Sequence, residues 1–213
     1  MREISYSPVP EPADPTRPGA RRRALGCAFE IVETLVLTLL IFVGIQTFVA
    51  QPYQVKQQSM EQTLEPGEYV LVDKLSPRFD DYKRGDIVVF RPPEEFGGGD
   101  DTPFIKRGVG VGGDVVEIRD DGFVYVNDRR LEEGYLFGAP PTLAGADPAR
   151  WVIPADEYFV MGDHRSNSAD SRQFGTIGRD DVVGRAWLRY WPVARFGLLP
   201  TASPYPSAIG AAP

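Results

Sequence analysis

Ser59 stands in the polar stretch Gln57-Gln58-Ser59-Met60-Glu61-Gln62-Thr63-Leu64, about nine residues beyond the end of the only membrane-length apolar run. A serine hydroxyl becomes a useful nucleophile only when a neighbouring group takes its proton. Candidate bases are few: one histidine, His164, and four lysines, Lys56, Lys74, Lys83 and Lys106. His164 lies in Gly162-Asp163-His164-Arg165-Ser166-Asn167-Ser168-Ala169-Asp170-Ser171-Arg172, a polar loop after a strand-like run, where Asp163 or Asp170 could complete a Ser-His-Asp triad. On composition alone, a loop histidine facing solvent is the plainer reading. Lys106 lies in the strand-like Phe104-Ile105-Lys106. Successive strand residues face opposite sides, so its amine either reaches water or is buried. Burial would disfavour the charged form and lower the pKa from about 10.4 by as much as 3–5 units. A neutral amine can then take the hydroxyl proton, and Ser-Lys pairs are a known variant of the triad. A nearby hydroxyl such as Ser168 would orient the amine by accepting its N–H bonds.

An anchor and a β-rich domain must position these groups. Residues 1–24 read as a disordered tail, since prolines at 8, 10, 12, 15 and 18 remove backbone donors and little apolar surface is available to bury. The tail ends in Arg17 and Arg21-Arg22-Arg23. Residues 25–50 form the apolar run, centred on Leu35-Val36-Leu37-Thr38-Leu39-Leu40-Ile41-Phe42-Val43. A helix of about 20 residues crosses a bilayer core. Glu30 and Glu33 fall near its start, where a charge can reach the headgroups. The run is apolar all round rather than striped, unlike a helix on the core of a soluble protein. It also exceeds the roughly 7–15 apolar residues of a cleavable signal peptide. A retained single-pass transmembrane anchor is therefore expected. Arginines before it, with only Lys56 soon after, predict a cytoplasmic N-terminus and an extracytoplasmic remainder. At roughly 3.3–3.6 Å per extended residue, Ser59 lies no more than ~30 Å along the chain from the lipid.

Beyond the anchor the signals are β. Short runs rich in β-branched and aromatic residues occupy 68–74, 86–91, 104–109, 114–118, 122–127, 157–161 and 182–191, bounded by breaks such as Pro66-Gly67, Arg84-Gly85 and Pro92-Pro93. Asn127-Asp128 has the composition of a hairpin turn. The expectation is a mainly β chain: an all-β catalytic domain over 51–197 behind one transmembrane helix, with surface loops at 94–103 and 134–152 and a flexible tail at 198–213.

Composition excludes several functions. A net charge of -7 does not suit a nucleic-acid binder. A single cysteine, Cys27, permits neither an internal disulfide nor a cysteine metal cluster, and one histidine rules out zinc sites built on several imidazoles. No metal and no cofactor is expected.

Taken together, the segments resemble those of type I signal peptidases, the membrane-bound Ser-Lys leader peptidases of bacteria. The resemblance rests on Ser59-Met60 with Thr63-Leu64, on residues 67–74, on Arg84 to Phe90, on Lys106 to Asp114, and on Gly162 to Arg172, in the family's order across 51–192. It implies the family's signal-peptidase-like β fold, with Ser59 as nucleophile and Lys106 as general base. By matching position, Ser168 is the hydroxyl that orients the lysine amine. Asp170 with Arg172, and Asp163 with Arg107, are implied as ion pairs that hold the loops of the site. It implies cleavage of translocated preproteins after small residues, at the surface of a lipid bilayer and without an obligate protein partner. The chain also departs from the pattern. Lys56-Gln57-Gln58 replaces the family's Pro-Ser-Gly, and Gln62 stands where a proline is usual. Gln57 occupies the place of a hydroxyl that helps hold the oxyanion in many members, which leaves the backbone N–H of Ser59 as the expected donor. His164 replaces an asparagine and reads as a tolerated loop change. Two other functions compete. A self-cleaving Ser-Lys repressor would carry a DNA-binding helical domain in place of the anchor. A β-domain that binds peptides without cutting them would have been disabled by the glutamines.

Overall fold

The computed structural model describes residues 18–96, 102–138, 141–145 and 149–201, with only the backbone for 18–28. Most of the expected tail, the Gly97–Asp101 run, Pro140, Asp147-Pro148 and the end of the chain lie outside the described residues. The chain divides into two compact units, residues 1–45 and 46–213.

The described residues of the first unit belong to helix α1, Pro18–Phe48, whose last three residues fall in the second. It starts inside the expected tail rather than at residue 25. A proline is tolerated in the first turn of a helix, where its missing N–H would have no partner in any case, and no other proline follows before Pro52. Phe29–Phe48 contains an 18-residue window of mean hydropathy 2.1, and its 20 residues, at about 1.5 Å each, give ~30 Å, the thickness of a bilayer core. Its large apolar side chains, from Phe29 to Phe48, are exposed all round.

The second unit is β. Its strands are β1 (Ala50–Gln54), β2 (Tyr69–Asp73), β3 (Ile87–Phe90), β4 (Phe104–Val111), β5 (Val115–Ile118) and β6 (Val124–Val126), followed by β7 (Arg129–Arg130), β8 (Arg150–Val152), β9 (Glu157–Met161), β10 (Ile177–Gly178), β11 (Val182–Trp191) and β12 (Gly197–Leu198). An antiparallel sheet runs in the order β1-β2-β11-β3-β4-β9-β10, with β12 beside β11, and a smaller sheet runs β7-β6-β5-β8. Asn127 and Asp128 both take positive φ, 50° and 64°, as a two-residue turn joining β6 to β7 requires. The short helix α2, Ser171–Phe174, begins with the Asp170 side chain accepting from the Arg172 N–H.

The expected C-terminal tail at 198 is corrected by two residues that belong to the domain. Leu198 pairs with Leu188, and the N–H of the buried Leu199 donates to Trp187. Burying Leu199 offsets the entropy of ordering a chain end. The 134–152 stretch, expected as a surface loop, contains strand β8 as well as the buried Tyr135 and Thr142.

β4 sits between β3 and β9 and is enclosed on both faces, so its side chains meet three different cores. Val55, Met60, Leu64, Val70, Val72, Ile87 and Val89 form one, with Ile105 against it. Val88, Phe90, Phe104, Tyr158 and Val160 belong to another. A third joins Val109, Phe159 and Met161 to the inner face of the small sheet. Fully burying a side chain such as Phe90 or Leu64 contributes about 1.5–3 kcal/mol. Here it also makes β4 a rigid support.

Candidate active site

Lys106 is fixed by its strand. It pairs with Val88 across β3 and β4, shares a strand face with Phe104, whose ring centroid is 5.0 Å from Nζ, and is 0% exposed. Burial among apolar groups pushes its pKa from 10.5 down to about 8; Asp170 pulls it back up, Arg172 lowers it and Asp163 raises it. The amine is thus still mostly ammonium at neutral pH, but with a neutral fraction far larger than that of an exposed lysine.

Ser59 is fixed by a turn. Val55 upstream exchanges backbone hydrogen bonds with Glu68 and Gly67, while Met60 and Leu64 downstream are buried in the core. The Leu64 N–H bonds back to the Met60 carbonyl at 2.7 Å. Between these anchors the Ser59 hydroxyl comes to 2.5 Å from Lys106 Nζ. The ammonium form donates to Oγ; a neutral amine at this distance could accept the hydroxyl proton. The Ser59 N–H donates to no acceptor among the described residues.

The loop from 162 to 172 braces that turn. His164 N–H donates to the Ser59 carbonyl at 3.0 Å, and Thr63 Oγ1 donates to Asp163 Oδ2 at 2.5 Å. A Cβ on Gly162 would meet the Ser168 hydroxyl and fall 2.5 Å from the Ser59 carbonyl oxygen, so only glycine fits between the two serines. Ser168 Oγ is buried with no hydrogen-bond partner among the described residues. Its position beside Gly162 and Ser59 leaves it a vacant acceptor and donor at the edge of the site.

Two guanidinium–carboxylate pairs underlie the loop. Arg107 grips Asp163 through Nε at 2.9 Å and Nη2 at 2.7 Å, with both residues 0% exposed, and its Nη1 donates to the Gly85 carbonyl. Arg172 grips Asp170 through Nε and Nη2, each at 2.8 Å, and the second Asp170 oxygen also accepts the Gly162 N–H at 3.0 Å. Buried, hydrogen-bonded pairs of this kind are strongly destabilising to break, because a lone charge would be left without water.

Sequence reasoning missed the supporting segments 131–138 and 141–145. Glu133 takes the Arg165 guanidinium, Tyr135 lies under Arg107 with the cation 4.0 Å from its ring, and Phe137 N–H donates to the Asp163 carbonyl. Thr142 Oγ1 and the Leu143 carbonyl accept from Arg165 and Arg172. Also unforeseen was the contact of His164 Nδ1 with Glu61 Oε2 at 2.6 Å. The spacing of Glu61 from Ser59 was visible; its partner 103 residues away was not.

Ser59 lines two clefts. One of about 260 Å³ runs along Tyr53, Val55, Gln57, Met60, Pro103 and Ile105. The other, about 490 Å³, is bounded by Gln57, Gln58, Phe104, Asn167, Ser168 and Ala169. Gln57 is exposed and borders both. A hydroxyl beside a buried amine, with an unoccupied N–H and two adjoining clefts, suits acyl transfer on a peptide.

Residues 28–191 match the family described as signal peptidase, peptidase S26. A probable signal peptidase I-2 of Synechocystis is 40% identical over 171 residues, covering 80% of this chain and 76% of its own. The signal peptidase I of Leptolyngbya laminosa is 36% identical over 203 residues, 93% of this chain and 97% of that protein. A solved signal peptidase I from Enterococcus faecalis aligns at a TM-score of 0.41 and 28% identity, covering 50% of this chain and 97% of its own.

Proposed function

The chain belongs to the signal peptidase family, peptidase S26, and on that premise we propose that it cleaves through a Ser-Lys dyad, with Ser59 as nucleophile and Lys106 as general base. It is a serine endopeptidase that removes signal peptides from preproteins. The observation that carries the dyad is the 2.5 Å approach of a fully buried lysine amine to the Ser59 hydroxyl.

In the proposed sequence, neutral Lys106 takes the hydroxyl proton as Ser59 Oγ attacks the scissile carbonyl. The oxyanion rests on the Ser59 N–H, with the Gln57 amide within the same cleft as a second donor. The lysine ammonium then gives its proton to the leaving amine, and the acyl-enzyme forms. Lys106, neutral again, takes a proton from the incoming water, which releases the signal peptide and restores the serine. The Arg107–Asp163 and Arg172–Asp170 pairs keep the turn and the loop in register, and Ser168 Oγ, which makes no hydrogen bond to Lys106 in the structure, is the hydroxyl left free to turn toward the amine. The smaller cleft takes the small residues that precede the cut.

Membrane anchoring follows from the family together with helix α1. We assign the N-terminus to the cytoplasm and the β domain to the extracytoplasmic side, from the arginines before the helix. Confinement of enzyme and signal peptide to one bilayer raises their effective concentration, which makes an obligate protein partner unnecessary.

Cleavage of a preprotein by wild type, Ser59→Ala and Lys106→Ala in vesicles tests this. Loss in both variants supports the dyad, and full activity in Lys106→Ala sinks it. An inactive wild type would favour a β-domain that binds peptides without cutting them.

A further inference from the structure

The dyad leaves two polar side chains beside Ser59 without a part, His164 and Glu61. They reach each other from segments 103 residues apart, with Nδ1 and Oε2 at 2.6 Å and each side chain 16% exposed. Glu61 rides on the nucleophile turn, and its N–H donates to the Gln58 carbonyl at 3.1 Å. The N–H of His164 donates to the Ser59 carbonyl at 3.0 Å. One residue therefore holds the nucleophile from two directions, by its backbone at Ser59 and by its ring at Glu61.

The ring is itself held. Phe137 covers it with centroids 4.3 Å apart, and the Phe137 N–H is tied to the Asp163 carbonyl at 3.0 Å. The charged neighbours on the same loop point elsewhere, Asp163 to Arg107 and Arg165 to Glu133, which leaves Glu61 as the charged partner of the imidazole. A further contact, Asn167 Nδ2 to Gln58 Oε1 at 3.1 Å, ties the same loop to the residue just before Ser59.

We infer that His164 and Glu61 form a positioning pair that locks the turn carrying Ser59 against the 162–168 loop, so that Oγ stays within reach of the Lys106 amine. The role rests on the Ser59–Lys106 reading. It is a role in placement: the pair touches neither substrate nor the transferred proton. A short hydrogen bond to a carboxylate is stronger and more directional than a neutral one, and partial burial protects it from screening. Misplacement of a reacting group by about 1 Å can cost on the order of 10² in rate, so a modest loosening of the turn is enough to register.

The test uses the full-length chain in vesicles, comparing wild type with His164→Ala, His164→Asn, Glu61→Ala and the His164→Ala/Glu61→Ala double variant. Each alanine variant is expected to lower kcat roughly tenfold with little change in KM, and the double variant to lose no more than either single one, because the two act as a unit. His164→Asn should recover most of the loss, since the asparagine amide nitrogen falls where Nδ1 does and can still donate to Glu61. Losses that multiply in the double variant, an asparagine no better than alanine, or an effect on KM alone would overturn the inference. A second readout does not depend on turnover. His164 is the only histidine in the chain, so isotope-labelled histidine gives a single imidazole signal. Glu61→Gln should move that signal, and an unmoved signal would overturn the contact. Full activity in Lys106→Ala would instead overturn the dyad beneath it, an outcome the pair's own variants do not produce.

Discussion

Lys106 Nζ and Ser59 Oγ, from residues 47 apart in the chain, meet at 2.5 Å with the lysine fully enclosed and the serine 5% exposed. The two are held in different ways. Lys106 belongs to a strand paired on both sides, so its position is set by the sheet. Ser59 belongs to a turn, which needs bracing from outside itself. The braces are the His164 N–H on its carbonyl, Thr63 on Asp163, and the close fit of Gly162.

On the proposed dyad, the position of the Lys106 pKa sets the pH dependence. Burial lowers it to about 8, so below that pH the amine is mostly ammonium and cannot accept the serine proton. Cleavage measured as kcat/KM should rise about tenfold per pH unit up to about pH 8 and then level off. A profile flat across that range would exclude a lysine base.

The same burial has a cost in stability. In the unfolded chain the lysine binds a proton below about 10.4, but in the fold only below about 8. Between those values the unfolded state holds more protons, so stability rises with pH across the window and is lowest below it. Methionine has no proton to exclude. Lys106→Met should therefore be inactive yet more stable than wild type at pH 7. At about 1.36 kcal/mol per pKa unit, the fall from 10.5 to about 8 sets a ceiling of roughly 3 kcal/mol. Urea unfolding should show the gain shrinking above pH 8 and vanishing near pH 10.5. A variant less stable than wild type at pH 7 would contradict this account.

Gly162 sets the spacing between the two serines. An alanine methyl there must displace the Ser168 side chain or the Ser59 carbonyl. Gly162→Ala should lower kcat by about 10–10², the effect expected of misplacing a catalytic group by a fraction of an ångström to an ångström. It should leave the sheet intact by circular dichroism. Undiminished kcat would mean that the loop yields without disturbing Ser59.

The longer strands were legible because their apolar and β-branched runs are self-sufficient: 157–161 and 182–191 correspond residue for residue to β9 and β11. The short strands β1, β8, β10 and β12 were not, since each exists only through the partner it pairs with. Lys106 itself could not be placed by alternation, because β4 is buried on both faces and has no solvent side to assign. The resemblance to a family, rather than any periodicity, pointed it inward. The segment 131–138 carries no local pattern at all. Glu133, Tyr135 and Phe137 matter through contacts with Arg165, Arg107 and His164, all distant in sequence.

Gln62 adopts φ +78° on the nucleophile turn, a conformation that proline, locked near −65°, cannot reach. Restoring the proline usual in related enzymes should therefore harm this chain. Gln62→Pro would swing Glu61 and Thr63 away from His164 and Asp163 and remove the N–H that donates to Glu65 at 3.3 Å. It should destabilise by more than about 1 kcal/mol, as incompatible proline substitutions do. Gln62→Gly should be neutral or slightly stabilising, because glycine enters this region freely. Thermal unfolding of the two variants separates them, and equal melting temperatures would rule out a positive φ at this position.

Trp187, Trp191, Val193, Phe196 and Leu198 are between 39% and 72% exposed and occupy one short segment, from β11 through β12. Exposed apolar side chains gathered in this way mark a contact surface, and tryptophan favours the membrane–water interface, where its ring is buried and its N–H stays hydrated. Contact of this segment with lipid would keep the domain at the bilayer independently of the anchor. Residues 46–213 form a compact unit, so the anchor-free domain can be tested by itself. It should bind phospholipid vesicles, and Trp187→Ala with Trp191→Ala should weaken that binding about tenfold or more, at roughly 1.4 kcal/mol for each factor of ten. Trp151 stays half-buried against Phe159, so its fluorescence reports whether the double variant is folded. Unchanged binding in a folded double variant would assign these tryptophans to the domain's own surface and leave α1 as the sole attachment.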